Sequence, residues 1–547
     1  MTSRTRADRV ESFISAIDSY EPVLADTPAD ALRVFARFLS RSVDGRYLDR
    51  HPPSELLPDI ERLFHASLIR PRNEVVIKID QSPEDPRRGV LYNNCFDQLF
   101  LYSTIRLALD QLEVKSYRSI NGVIPIQRSM DGTLESVGKS DSPRESFVWM
   151  EIECDQLAER REEIENVLSE RLEMLQESID DFYEMKASID RVADRFDSLG
   201  GSEHEHSLAF KDGARFLRWL RDEHFIILGT HFVPTLFNGE APLKSYGTGN
   251  RGAWSGIESE AKDRISAGNS RVPPYLWVRK SRNAAWVYRP GRTDLVFVEH
   301  HDPAGNPSGL FIIEGLFSFQ ASAEPRTNIP LLDRVIDDLY SEMQAAKGTH
   351  RYRTIRNAFN SLPLEYLFSL SRDDVREIVE RVLEADSERR LQIHISTDAE
   401  QASAFVFVAL PRTHYNDELR SDIRRLLKDT FNATSVDDGV YAGDVDSVTF
   451  HYFLTGVTAL NDASESLLKR AIDHLASPWG DRLMDELENR FEQPEARRLH
   501  SLYNEAFGAR YREESSIRRT VSDIELLEGL AADRSFDCDV YREPSDE

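Results

Sequence analysis

Repeatedly along this chain the spacing of apolar residues shifts from the three-to-four of helices to the two of strands and back. That alternation limits the fold more than any other feature. Ala31 to Leu39 and Glu55 to Leu68 keep helical spacing, parted by the break at His51 to Ser54. Glu74 to Asp80 (EVVIKID) reads as a short strand, and the QSPEDPRRG stretch from Gln81 as a loop of turn formers. Asn93 to Leu112 reads as a helix with Phe96, Leu99, Phe100, Ile105, Leu109 and Leu112 on its apolar side. Lys115 to Arg128 and Glu145 to Glu153 read as strands joined through an Asp131-Gly132 turn. A second such unit starts at Arg390. Leu391 to Ser396 and Ser403 to Leu410 form a hairpin, Asn416 to Phe431 a helix, and Thr434 to Tyr441 and Ser447 to Leu454 two strands. Helices on a small, largely antiparallel sheet, repeated and joined by helical segments, give an α+β chain.

Between these units Gln156 to Phe196 reads as one long helix, with Leu157, Ile164, Leu168, Leu172, Leu175, Ile179, Phe182 and Ile189 as its stripe. Packing on a neighbouring sheet is favoured over an intermolecular coiled coil. A helix at Asp212 to Arg221 and a strand at His224 to Val233 follow, and residues 236 to 273 read as a surface excursion. Strands are expected at Tyr275 to Lys280, Ala285 to Tyr288, Asp294 to His300 and Gly309 to Phe319, then helices at Pro330 to Ala345, Thr349 to Ser361 and Asp373 to Ala385. Asn461 to Ala476 and the stretch to Ala532 are helical, and FDCDVYREPSDE at the end begins like a strand.

A length of 547 residues calls for three or more domains. The 95 acidic residues outnumber 68 basic ones for a net charge of −27, which disfavours nucleic acid and anionic membranes as partners. Cys95, Cys154 and Cys538 form no CxxC pair, so neither a disulfide framework nor a thiolate zinc site is suggested. No run of about 18 apolar residues and no signal peptide is present, which reads as a cytoplasmic chain.

Motifs for chemistry are few. Gly247, Gly249 and Gly252 (GTGNRG) fit a GxGxxG pattern, but a polar stretch with Pro242 precedes them where a dinucleotide cradle needs a buried strand. A glycine-rich surface loop is the better reading. His204-Glu205-His206 and His300-His301-Asp302 lack the partners a metal needs, so no metal site is assigned. GxSxG and P-loop motifs are missing, and no catalytic residue is assigned. Arg412, after Pro411 at a strand end, is the best charged candidate for holding a carboxylate or a partner acid, but a surface salt bridge is the favoured reading.

Four segments carry a resemblance: RFLRWLRDEHFIILGTHF from Arg215, GLFSFQASAEPRTNIPLLDRVIDDLY from Gly315, NAFNSLPLEYLFSLSRDD from Asn357 and FVALPRTHYNDELRSDI from Phe407. In this order, together with the unit at 74 to 153, they resemble the amino-terminal region of the large NAD-specific glutamate dehydrogenases. The resemblance implies tandem ACT-like (ferredoxin-like) modules: a helical segment at 1–34, a first module with its long helix at 35–235, and a linking region at 236–389. A second module at 390–457, a helical segment at 458–535 and the start of a truncated third module at 536–547 complete the division. It also implies that the catalytic domain lies outside this chain, so that NAD is a cofactor of the full enzyme and none is expected here.

ACT-like modules would hold an amino-acid effector at a strand–helix loop, where helix amides suit a carboxylate. That places effector-binding residues at Asn94, Phe96, Arg412, Tyr415 and Asn416, within the stretches Asp80 to Asn94 and His414 to Glu418. The family's Pro-Phe-Leu-Val-Asp-Ser stretch corresponds here to Asn93 to Phe100 (NNCFDQLF), which keeps the Phe and little else. The expected partners are an amino-acid effector, a catalytic domain in cis or trans, and further copies of the chain. The function that follows is regulation or assembly of a glutamate dehydrogenase. Its alternative is a stand-alone amino-acid-sensing or scaffold protein, and an unrelated enzyme using the Gly247 loop ranks third.

Overall fold

The structure is a computed structural model that describes residues 6–42, 52–71, 74–82, 85–201, 206–234, 243–250, 275–302, 305, 307–398, 402–415, 417–442, 447–458 and 462–532. The chain divides into two compact units, Met1–Ala323 and Glu324–Glu547. The class is α+β with small antiparallel sheets, as the period changes predict.

The first unit opens with helices α1 (Arg6–Asp18), α2 (Ala29–Ser40) and α3 (Pro53–Ala66). Strands β1 (Val76–Gln81) and β2 (Arg88–Phe96), helix α4 (Leu101–Gln111), strands β3 (Lys115–Arg128), β4 (Leu134–Val137) and β5 (Arg144–Glu153) and helix α5 (Leu157–Asp180) follow. The sheet order is β1-β2-β5-β3-β4. With all neighbours antiparallel, β2 and β3 run parallel on either side of β5, linked by α4. Both faces are covered. Val148, Met150 and Ile152 of β5 pack with α4 and α5, while Phe147 and Trp149 pack with Phe35, Ile60 and Phe64 of the amino-terminal helices. A strand buried on both sides reads as a continuous apolar run rather than an alternation, which is why SFVWMEI shows no period of two.

Helices α6 (Phe182–Gly200) and α7 (Ser207–Trp219) lead into a second sheet of β6 (Phe225–Pro234), β7 (Tyr246–Gly247), β8 (Leu276–Ala284), β9 (Arg292–His301) and β10 (Pro307–Phe317), and the short helix α8 (Phe319–Ala323) follows it. Its order is β7-β6-β10-β9-β8.

The second unit holds α9 (Leu332–Glu342), α10 (His350–Ser361), α11 (Leu364–Leu367) and α12 (Arg372–Glu388). A four-stranded sheet of β11 (Gln392–Asp398), β12 (Ser403–Pro411), β13 (Ser435–Ala442) and β14 (Ser447–Thr455) comes next, with α13 (Asp417–Phe431) and α14 (Asp462–Ala476). The order β11-β12-β14-β13 repeats that of the first sheet without β4. In both, a leading strand is followed by strand, helix, two further sheet strands and helix. Compared with the β-α-β-β-α-β ferredoxin-like arrangement, the outer strand beside β2 or β12 comes from in front of the unit rather than from its end. Helices α15 (Trp479–Arg490), α16 (Gln493–Tyr503), α17 (Ala509–Glu514) and α18 (Ile517–Ala532) end the described chain. Leu483, Leu487, Ala496, Leu499, Val521 and Ile524 form a small core there.

The structure departs from the sequence reading at several places. Asn93 to Phe96 ends β2 instead of opening a helix, because both asparagines are buried and hydrogen-bonded as strand residues: Asn93 Nδ2 donates to the Val76 carbonyl at 3.2 Å and Asn94 Nδ2 to Glu145 Oε2 at 2.9 Å. The long helix divides at Asp181 (φ −86°, ψ 0°), whose carboxylate accepts the Gly247 amide at 2.7 Å. Its stripe from Leu157 to Leu175 is buried on the first sheet, as the favoured reading has it, but Phe182 lies past the break and is more than a third exposed. Ala285 to Tyr288 is the turn between β8 and β9, with Ala285, Trp286 and Val287 buried against α4 and α5. The boundary drawn at 235 falls inside the second sheet, since β6 pairs along its length with β10. The strand expected from Phe536 lies outside the described residues.

Candidate functional site

The first module's strand–helix junction builds the site. Phe100, the residue before α4, takes a left-handed conformation (φ 64°, ψ 4°), and no side chain of that residue caps the helix. The first amides of α4, at its positive end, are thus left without a side-chain cap from Phe100. The preceding loop is tied to β5: the Asp97 amide donates to the Arg144 carbonyl at 3.0 Å, and Ser146 Oγ donates to Asp97 Oδ1 at 3.0 Å. Between this loop, the end of α2 and strands β3 and β5 lies a groove of about 840 Å³. Phe38 and Arg41 line one wall, Asn121 and Val123 another, and Arg144 and Phe147 a third.

Two cations frame it. Arg41 lies 4.7 Å over the Phe38 ring, and neither Arg41 nor Arg144 pairs with an acid among the described residues. In a chain of net charge −27, two guanidinium groups beside uncapped helix amides favour the carboxylate or other anionic end of a ligand. The apolar walls of Phe38, Val123 and Phe147 suit its body. Among the described residues the lining has no His, Lys, Cys or Glu, and its carboxylate, Asp97, already accepts from Ser146.

Behind the groove sits a buried ionic cluster. Glu145 accepts from Arg128 Nε at 2.8 Å and from Arg70 at 2.8 Å, and Arg128 donates to Asn94 Oδ1 at 3.0 Å. Burial pushes the Glu145 carboxyl upward, but the hydrogen bonds of Arg128 and Arg70 outweigh it and hold the group below its usual range. Arg70 also lies 4.3 Å over the Phe96 ring. Close by, burial pushes the Cys95 thiol up to about 12.

The expected effector residues fall around these features as follows. Asn94 and Phe96 are brought together in the ionic cluster and do not line the groove, which begins one residue later at Asp97. In the other unit, Arg412 starts a one-turn 3₁₀ segment (Arg412–His414) after β12, and Tyr415 follows it with its ring 5.8 Å from that of Phe450. Asn416 lies outside the described residues. Sequence reading missed Arg41, Asp97 and Arg144, and nothing local could have revealed the two arginines, because α2 and β5 meet only in the fold.

The GxGxxG stretch is neither cradle nor surface loop where it is described. Gly247, Thr248 and Gly249 are buried against β6, and a Cβ on Gly249 would stand 2.0 Å from the Thr230 carbonyl oxygen. That packing delivers Thr248 Oγ1 to Glu314 at 2.9 Å, beside Thr293 at 3.0 Å. His300 Nδ1 lies 2.7 Å from Ser308 Oγ, and His301 sits edge-on to Phe210 and Tyr275. Among the described residues no three His, Cys, Asp or Glu side chains converge as metal ligands would. No described helix is long and apolar enough to cross a membrane.

Comparison with known proteins matches four family descriptions in order along the chain. They are "Glutamate dehydrogenase, ACT1 domain" over residues 86–168, "helical motif 1" over 329–388, "ACT2 domain" over 393–480 and "helical motif 2" over 486–530. The NAD-specific glutamate dehydrogenase of Halomonas elongata is 23% identical over 461 residues, which cover 82% of this chain and 28% of that relative.

Proposed function

The chain belongs to the amino-terminal region of the large NAD-specific glutamate dehydrogenase family, and we propose that it regulates and helps assemble such an enzyme by binding an amino-acid effector. The complete enzyme would oxidise L-glutamate to 2-oxoglutarate and ammonia with NAD, in a catalytic domain supplied in cis or in trans. The observation that carries this reading is the groove at the start of α4. Most of its lining lies in a matched ACT domain, with Phe38, Arg41 and Ser42 coming from α2 and the residues after it. It offers Arg41 and Arg144, which pair with no acid among the described residues, to a carboxylate, and presents apolar walls to a side chain.

Assembly into a homo-oligomer would use surfaces other than the sheet faces. Helices cover both faces of the first sheet within its own unit. The outer edge of β1 is also engaged, since the Ile79 amide donates to Glu165 Oε1 at 2.7 Å. A stand-alone amino-acid sensor is the second reading, favoured by a groove whose entire lining lies between residues 38 and 148. Calorimetric titration of the chain with the common L-amino acids, added singly, tests both. Binding that is lost in Arg41→Ala and Arg144→Ala supports the groove, and no binding by any amino acid sinks the effector role. A change in the turnover of a dehydrogenase containing this region, produced by the same ligand, separates the regulator from the stand-alone sensor.

A further inference from the structure

The wall of the groove is also a contact with the second sheet of the same unit. Phe100 lines the groove and meets Tyr288 of the β8–β9 turn edge-on, with ring centroids 5.2 Å apart and planes at 72°. At the other end of α4, Gln111 Nε2 donates to the Ala285 carbonyl of the same turn at 2.7 Å. The turn thus grips both ends of a helix about 16 Å long. Between those grips Ala285, Trp286 and Val287 are buried in one core with Ile105, Ala108 and Leu109 of α4.

Both ring-bearing residues hold unusual backbone conformations. Phe100 has φ 64° and Tyr288 has φ 70°, a region that bulky side chains enter only when their surroundings fix them. Each ring is part of what fixes the other. A ligand drawn to the α4 amides cannot shift Phe100 without working against Tyr288, and packed cores of this kind switch between arrangements rather than deform smoothly.

We propose that the β2–α4 loop and the β8–β9 turn form one coupled element, through which the state of the groove is passed to the second sheet. As a statement about regulation it rests on the groove being the effector site. The coupling itself does not. Coupling is reciprocal, so disturbing either side must loosen the other.

Hydrogen exchange read by mass spectrometry on the whole chain tests it. Tyr288→Gly removes the ring and relieves its backbone, and exchange at residues 97–103 should quicken about two- to tenfold, the range expected for one aromatic pair. Phe100→Gly should do the same at residues 285–291, and Tyr288→Phe, which keeps the ring, should match the parent. Unchanged exchange at 97–103 in a folded Tyr288→Gly overturns the proposal. Should that variant fail to fold, Tyr288→Leu keeps the apolar bulk and is held to the same outcome. Titration with the common L-amino acids separates the two readings. A ligand bound equally by the parent and Tyr288→Gly overturns the coupling and leaves the groove standing. Quickened exchange with no amino acid bound supports the coupling and removes the effector role.

Discussion

Glu145 shares one negative charge between two buried guanidinium groups, so its removal leaves two cations facing each other out of water. Glu145→Gln is expected to destabilise the first unit by about 3–5 kcal/mol, measured by denaturant unfolding. A change within experimental error would mean that water reaches the cluster. His451 gives the second unit a pH dependence. Burial holds it down to about 4, so it is neutral in the fold and takes up a proton more readily once unfolded. Stability is then full above about pH 6.5 and declines as pH falls toward 4, by roughly 3 kcal/mol in total. His451→Phe should flatten the profile between those limits, and a parallel decline in parent and variant would refute the assignment. Glu299, in the other unit, works in the opposite sense: burial raises it to about 7, so its contribution is lost as pH rises from 4.5 through 7. None of these residues stands out in sequence. Glu145 opens a strand among 95 acidic residues, and only the arrival of Arg70 and Arg128 distinguishes it.

Elements were legible where the signal is local. The strands and helix of the four-stranded sheet in the second unit fall where alternation and β-branched runs put them, and Ser371 before α12 forms a capping box with Asp374. Ser371→Ala should lower stability by about 1 kcal/mol in denaturant unfolding, while an unchanged midpoint would show that solvent satisfies the same amides. Elements were misread where a distant partner decides. β2 carries two asparagines through a buried strand because β1 and Glu145 bond them, and the long helix breaks where Gly247 binds Asp181. The Gly249 contact makes a sharper test. Gly249→Ala drives a Cβ into the Thr230 carbonyl and should destabilise the second sheet by about 1–3 kcal/mol, visible as faster hydrogen exchange in β6 and β10. Tolerance of alanine there would mean that the loop is not packed on β6.

At the scale of the molecule, the chain should form no NADH from L-glutamate and NAD, a spectrophotometric measurement in which steady turnover would undo the regulatory reading. Sequence alone determined the α+β class, because apolar period is a property of short stretches, and four segments in order carried the resemblance to the family. It did not determine the groove, the ionic cluster behind it or the grip of the β8–β9 turn on α4. Those join residues as far apart as Gln111 and Ala285, and no window on the sequence holds both. The strand–helix loop that the resemblance pointed to borders the groove proposed as the site. Which side chains wall it was settled by the packing of α2 and β5 around a helix start that its own residues leave uncapped.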